Sequence, residues 1–347
     1  MTGAMSNVAA DEAAALARAH PLTLFGFDAL VTGAARLRPG RVAVTDVRSG
    51  DEIDHAELDR RIDAFRLRLR DFDFQPGERV VLACAPNADT LVALTGLVAA
   101  GLEPVLAPLG LASDALARGA RAASAAALIA PASVAGVSFE RWLFGVAAQA
   151  PSIRLIGALG PGAIDGAVDF RSGAPTAARA PAGRDRALQS KKATIGILDR
   201  SGEPRFIEQG ALLAHGLRLV AKARVSGAAP LVSLVSPASV AGLVAGPLAS
   251  LLSGAPLHFV SPFDASAFLA HLDAIGPARL VAPRRILPTL DDAGLLTNGA
   301  LLSCIAIARP EDDAEFERRP STCPIIDIAS DGAPQAAAPR REAVAAA

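Results

Sequence analysis

No tyrosine occurs anywhere in the chain, tryptophan occurs once, and aromatic residues make up only 4% of its 347 positions. Any site that depends on a tyrosine ring is therefore excluded. Charge of one sign is missing as well. Thirty-four basic residues against 35 acidic ones leave a net charge of -1, which removes the electrostatic footprint of a nucleic-acid binder. The three cysteines, Cys84, Cys304 and Cys323, are far apart and odd in number, so they form neither a CxxC pair nor a disulfide framework. The acidic, alanine-rich start "MTGAMSNVAADEAAALARAH" lacks the charged and apolar regions of a signal peptide. A reducing cytoplasmic location is the expectation.

Charged residues are also missing from Val225 to Phe263, a stretch long enough to cross a bilayer. Pro230, Pro237, Pro247 and Pro256 punctuate it, however, and Ser and Gly break its apolar runs. A buried strand–helix–strand is expected there, and no membrane span.

What is present is apolar bulk. Hydrophobic residues, many of them alanine, reach 51% with a mean hydropathy of +0.36, enough for a large core. "RVAVTDVRSGDEID" reads as two strands around the turn Ser49-Gly50. Asp54 and Glu57 resemble a capping box, and Leu58, Ile62, Phe65 and Leu69 follow at helical spacing. "RVVLACA" is an unbroken apolar strand, Asn87 or Asp89 can cap the helix "TLVALTGLVAA", and Gly101 stops it. "EPVLAPL", a helix opened by Ser113, and "ALIAP" continue the alternation. Beyond the linker come the strand "ATIGIL", a helix near Gly210 to Ala223, "LVSLV", a helix over Ser239 to Leu252, "PLHFV", the doubly capped "DASAFLAHLDAIG" and "ARLVAP". Such alternation predicts an α/β fold with parallel sheets covered on both faces. The division expected is a flexible leader at 1–25, a first α/β subdomain at 26–160, a linker at 161–192, a second α/β subdomain at 193–330 and a disordered tail at 331–347.

The segments "IDHAELD", "PGERVVLA", "PNADTLVALTGLVAAG" and "GLEPVLAP" stand in the order of the N-terminal region of AMP-binding, adenylate-forming enzymes, and the chain from roughly 30 to 330 resembles that family. Acyl-CoA synthetases and the adenylation domains of peptide synthetases are members. The resemblance implies a layered αβαβα-like N-terminal domain, and chemistry in which a carboxylate attacks the α-phosphate of ATP·Mg²⁺ before the acyl group passes to a thiol. It also implies a Thr-Ser-Gly-Thr-Thr-Gly-x-Pro-Lys-Gly loop to hold the phosphates.

The matching segment here is "LDRSGEPRF". Arg200, Ser201, Gly202 and Arg205 are the candidate remnant of a phosphate loop, with an ordinary hairpin as the competing reading. Leu198 and Asp199 replace hydroxyls, Arg205 replaces the lysine and Phe206 replaces a glycine. Ser239 stands where the family's Pro-x-x-His-x-x-Gly carries histidine, so Ser239 and Gly242 are the candidate substrate-pocket residues. In "IDIASDG", Ile328 stands near the adenine-stacking tyrosine and Asp331 near the magnesium-binding glutamate. The ribose-binding aspartate and the lysine-bearing C-terminal domain have no counterpart in these residues.

The five histidines, His20, His55, His215, His258 and His271, show no metal-ligand spacing and are read as structural. Cys84 is read as inert packing, "GPGAIDG" as a turn, and Lys191-Lys192 as solvated linker charge. No G-x-S-x-G elbow is present. The expectation is a family member unable to form acyl-adenylates. It has no catalytic residue, no metal site and no cofactor, and serves as a binding module for an acyl or aromatic acid, a protein partner or a second copy. The alternative is an active acid ligase that uses ATP and Mg²⁺ through an altered loop and is completed by a separate subunit.

Overall fold

The computed structural model describes residues 26–170, 193–308, 323–329 and 332. The expected leader, Lys191-Lys192, Asp331 and nearly all of the expected tail lie outside these residues.

Helix α1 (Phe27–Leu37) leads into the hairpin β1 (Val42–Asp46) and β2 (Asp51–Asp54), then α2 (His55–Leu69). Next come β3 (Arg79–Cys84), α3 (Ala88–Ala99), β4 (Glu103–Pro108), α4 (Ser113–Ala122) and β5 (Ala127–Pro131). A small hairpin, β6 (Ser133–Val134) and β7 (Val137–Ser138), precedes α5 (Glu140–Gln149), β8 (Leu155–Leu159) and β9 (Val168–Asp169). The second half begins with β10 (Thr194–Leu198), β11 (Pro204–Glu208), α6 (Gln209–Ala223) and β12 (Leu231–Ser233). A helix over 240–253, α7, is followed by β13 (Leu257–Phe259), α8 (Ala265–Ile275) and β14 (Ala278–Pro283). The series ends with α9 (Leu287–Asp292), β15 (Leu301–Ile307) and β16 (Ile325–Ile328).

Apart from the two-stranded β6–β7, these strands form two seven-stranded sheets, ordered β11-β10-β4-β3-β5-β8-β9 and β16-β15-β14-β12-β13-β1-β2. Most pairs are parallel; β1–β2 and β10–β11 are antiparallel. Apolar side chains of α2, α3, α6 and α7 join the inner faces of both sheets in one core that includes Leu58, Leu97, Leu248 and Phe259. Leu116 and Leu143 of α4 and α5 cover the outer face of the first sheet. Phe268, Leu272 and Leu287 of α8 and α9 cover the outer face of the second. The layers are therefore αβαβα, and parallel strands buried on both faces explain runs such as "VVLAC" that do not alternate. Each fully buried leucine contributes about 1.5–3 kcal/mol of transfer free energy.

Local chemistry sets the helix starts. Asp54 accepts from the Glu57 amide, Asn87 from Thr90 and Asp264 from Ala267. Ser113 is not a cap, because α4 is entered from Ala112 without a side-chain bond.

The sheets do not follow the expected division of the chain at 160 and 193. Hairpin β1–β2 joins the second sheet beside β13, and β10–β11 joins the first beside β4. Each hairpin pairs in parallel with a strand from the other half of the chain. The expected linker is also shorter at its start. Strand β9 pairs with β8, and Phe170 is buried 4.9 Å from the Phe65 ring, so residues 161–170 close the edge of the first sheet.

Candidate functional site

In parallel sheets the ligand crevice lies beyond the carboxyl ends of the strands. Here the two sheets bring those ends together. The Ser236 hydroxyl, just beyond β12, donates to the carbonyl of Cys84 at the end of β3 (3.0 Å). Asp46, at the end of β1, has its carboxyl pushed above the usual range by burial, with the charges of Asp51 and Asp89 adding to it. Asp89 lies beyond β3, so the mutual effect places it on the same edge.

The turn between β10 and β11 also lies on this edge, and its geometry follows from Asp199. Asp199 Oδ1 accepts from the Ser201 amide (2.8 Å), the Ser201 hydroxyl (2.6 Å) and the Glu203 amide (2.9 Å). The Gly202 amide donates to the Asp199 carbonyl, and the Asp199 amide donates to Glu203. The Ser201 hydroxyl, followed by the amides, holds the Asp199 carboxyl below the usual carboxylate range. A carboxylate of the chain thus occupies the donors of its own turn.

Gly202 has φ +89°, and a Cβ there would run into the Ala115 carbonyl of α4. It is glycine because a tight turn is pressed onto a helix backbone. Arg118 of α4 donates to the Ser201 carbonyl at 3.1 Å, fixing the same contact. Arg200 is exposed at the tip, and Arg205 is exposed on β11 opposite Ile197. Phe206 packs beneath the Arg79 guanidinium, 4.3 Å from its ring centre. Strand β11 separates this turn from α6, which begins at Gln209, so the turn does not sit at a helix N-terminus. The structure therefore groups Arg200, Ser201 and Gly202 on one hairpin tip and sets Arg205 on its returning strand.

Ser239 and Gly242 lie together on the adjoining turn. Ser239 Oγ accepts from the Gly242 amide (3.0 Å) and caps α7. A Cβ on Gly242 would overlap the Ser236 carbonyl, so glycine permits the close turn. Farther along, α7 opens into a π-helical turn over Val244–Leu248, where Pro247 lacks the amide that an α-helical turn would use. Gly332 packs on Val240 and Val244. Ile328 is fully buried at the end of β16 in register with Ile307, and its side chain belongs to the core.

An open cavity of about 400 Å³ lies at the ends of β1 and β13, lined by Val47, Arg48, Val260, Pro262, Asp264 and Ala267. Its residues come from two distant segments with no spacing signal, and sequence reasoning missed them. It missed a histidine pair too: His258 Nδ1 and His271 Nε2 are 2.8 Å apart across β13 and α8. Burial, then the neighbouring His271, lowers the His258 pKa to about 4. Among the described residues, no three metal-ligating side chains come together. All three cysteines are free and buried, and burial pushes the Cys84 thiol up to about 12. Among the described residues, no helix is long and apolar enough to cross a membrane.

Comparison with known proteins agrees with this architecture. The AMP-binding enzyme family matches residues 31–174. The salicyl-AMP ligase / salicyl-S-ArCP synthetase of Mycobacterium tuberculosis is 31% identical over 132 residues, which are 37% of this chain and 23% of that protein. Acetoacetyl-CoA synthetase from Streptomyces lividans superposes with a TM-score of 0.67 at 16% identity, covering 88% of this chain and 51% of that one. The anthranilate CoA ligase AuaEII, solved with anthranoyl-AMP, gives 0.68 at 15% identity, covering 90% and 61%. The matched region thus spans about a quarter of the curated relative, and the fold spans just over half of these two solved chains. Residues 31–174 thus match the AMP-binding enzyme family, and the two-sheet fold is shared with these solved adenylate-forming structures.

Proposed function

We propose that this chain is a binding member of the adenylate-forming family that does not itself form acyl-adenylates. The observation that carries this reading is the Asp199 carboxylate, which satisfies the amides of its own turn and puts negative charge where a polyphosphate would sit. Electrostatic repulsion and the loss of donors act together against a nucleotide there. Arg205 in place of lysine, Phe206 in place of glycine and the buried, ringless Ile328 support the same conclusion.

The ligand class proposed is a small aromatic or acyl carboxylate. The cavity is lined by Val47, Val260, Pro262 and Ala267 with one guanidinium, Arg48, suited to a carboxylate, and one acid, Asp264, whose Oδ1 is engaged by the Ala267 amide. The curated relative's name carries salicyl, and one solved relative holds anthranoyl-AMP, so salicylate and anthranilate are the first probes.

Titration calorimetry with ATP·Mg²⁺, and separately with salicylate and anthranilate, tests both parts. Carboxylate binding that Arg48→Gln abolishes, with no heat from millimolar nucleotide, is the expected result. Tight, magnesium-dependent ATP binding, or ATP–pyrophosphate exchange with any carboxylic acid, overturns the proposal. It would favour an acid ligase working through an altered loop, alone or with a second subunit.

A further inference from the structure

The opposite edge of the second sheet, at the amino ends of β1, β12 and β13, gathers two guanidiniums and a buried imidazole, and among the described residues no carboxylate forms an ion pair with either guanidinium. Arg38 and Arg41 lie in the connection from α1 into β1, and His55 is the first residue of α2. Arg41 donates to the Gly227 carbonyl at 2.6 Å, ahead of β12. The Arg38 guanidinium lies over Gly254, ahead of β13, where a Cβ would collide with it. The His55 amide donates to the Arg41 carbonyl at 3.0 Å, which ties α2 to the same point.

Three features distinguish this cluster from ordinary surface charge. His55 is only 3% exposed, and its Nδ1 is buried without a hydrogen-bond partner. The Arg38 Nε is likewise buried and unpartnered. Among the described residues no carboxylate pairs with either guanidinium. Asp54 is the acid that His55 feels, and its Oδ1 is already taken by the Glu57 amide. Glu57 is held by Arg60 and Arg61. Burial, followed by Arg38 and Arg41, lowers the His55 pKa, and burial with Arg41 lowers that of Arg38. Like charges held together beside orphaned donors are costly unless an anion completes them.

We propose that Arg38, Arg41 and His55 form the seat of a phosphate-class oxyanion at the amino ends of β1, β12 and β13. Planar guanidinium forks match a tetrahedral oxyanion, and the first turn of α2 adds the positive end of its dipole. An anion there favours the imidazolium, so His55 becomes a third charged donor on binding. The group is either free phosphate or the phosphate monoester of a small metabolite. The site lies on the edge of the sheet away from the Asp199 turn, so it stands or falls independently of the nucleotide question.

The test follows the histidine Cε1–H resonances of the full chain during titration with inorganic phosphate at constant ionic strength, with His55→Gln assigning the signal. The expected result is a saturating shift of His55, a raised His55 pKa, and half-saturation at about 1 mM or below. Arg41→Gln should weaken binding about tenfold. Arg41 is exposed, so this variant remains folded even if Arg38→Gln, which empties the space over Gly254, does not. Tighter binding of glycerol phosphate assigns the seat to a phosphorylated metabolite, and weaker binding assigns it to the free ion. No saturating shift at tens of millimolar phosphate, an equal response to chloride, or unchanged affinity in Arg41→Gln overturns the proposal.

Discussion

At the carboxyl ends of the strands, Asp199 takes up the Ser201 and Glu203 amides and Ser239 takes up the Gly242 amide. At the amino ends of the second sheet, Arg38 Nε and His55 Nδ1 are buried with no partner. The first edge carries the positions that resemble a family's nucleotide motifs, while the second carries no recognisable motif. Unmet hydrogen-bonding capacity is therefore not confined to the edge whose sequence resembles a family's motifs: Thr45 and Thr90 leave hydroxyls unpartnered there, and Arg38 and His55 do so at the other edge. Unmet capacity is the more physical guide to a missing ligand, because a buried donor without an acceptor costs free energy whatever its ancestry.

The comparison breaks most readily at Gly202. If that glycine serves packing, Gly202→Ala should cost about 3 kcal/mol or more, from strain at positive φ plus collision with the Ala115 carbonyl. Denaturant unfolding measures this, and an unchanged midpoint would mean the turn is not pressed onto α4. The histidines sharpen the contrast next. His258 has a folded-state pKa near 4 against about 6.5 when unfolded. The unfolded chain therefore binds the proton first. Stability is full above about pH 6.5 and falls by on the order of 3 kcal/mol as the pH drops towards 4. Urea unfolding at pH 7.5 and 4.5 should show this loss, and His258→Gln should flatten it. Phosphate should leave the His258 signal in place while moving that of His55.

Smaller effects belong to the caps. Ser239→Ala should lower stability by about 1 kcal/mol, since the Gly242 amide loses its acceptor. Asp199→Asn should cost less than about 1 kcal/mol, because the group is exposed and screened. Its carboxyl is held low in the folded state, so that small contribution exists above the unfolded carboxylate pKa and disappears as pH falls through the folded value. If Asp199→Asn instead gains measurable ATP·Mg²⁺ binding, the carboxylate was excluding nucleotide from a turn still able to hold it.

Much of the scaffold was legible because its signals are local. Asp54, Asn87 and Asp264 stand three residues before the amides they cap, and Leu58, Ile62, Phe65 and Leu69 recur at helical spacing. The strand–helix–strand of the charge-free stretch was readable from its prolines, although Pro247 opens a π turn inside α7. Other elements gave no such signal. Helix α1, helix α5, strand β8 and strand β15 were not separated from their surroundings, and a two-residue strand such as β9 carries no periodicity at all. At the candidate site, the hairpin reading of the Asp199 turn was available from Ser-Gly and Glu-Pro. The cavity at Arg48 and the His258–His271 pair were not, since each joins segments far apart in the chain.

The sequence by itself determined the α/β alternation, the capped helices and the buried strands, because these depend on residue type and short spacing. Only the tertiary structure decided that β1–β2 and β10–β11 cross to the other half's sheet, that Gly202 is pinned beneath α4, and that Arg38, Arg41 and His55 share one corner. Those outcomes depend on which sheet edges remain open and which charges are left facing one another after packing. No pattern along the chain records either.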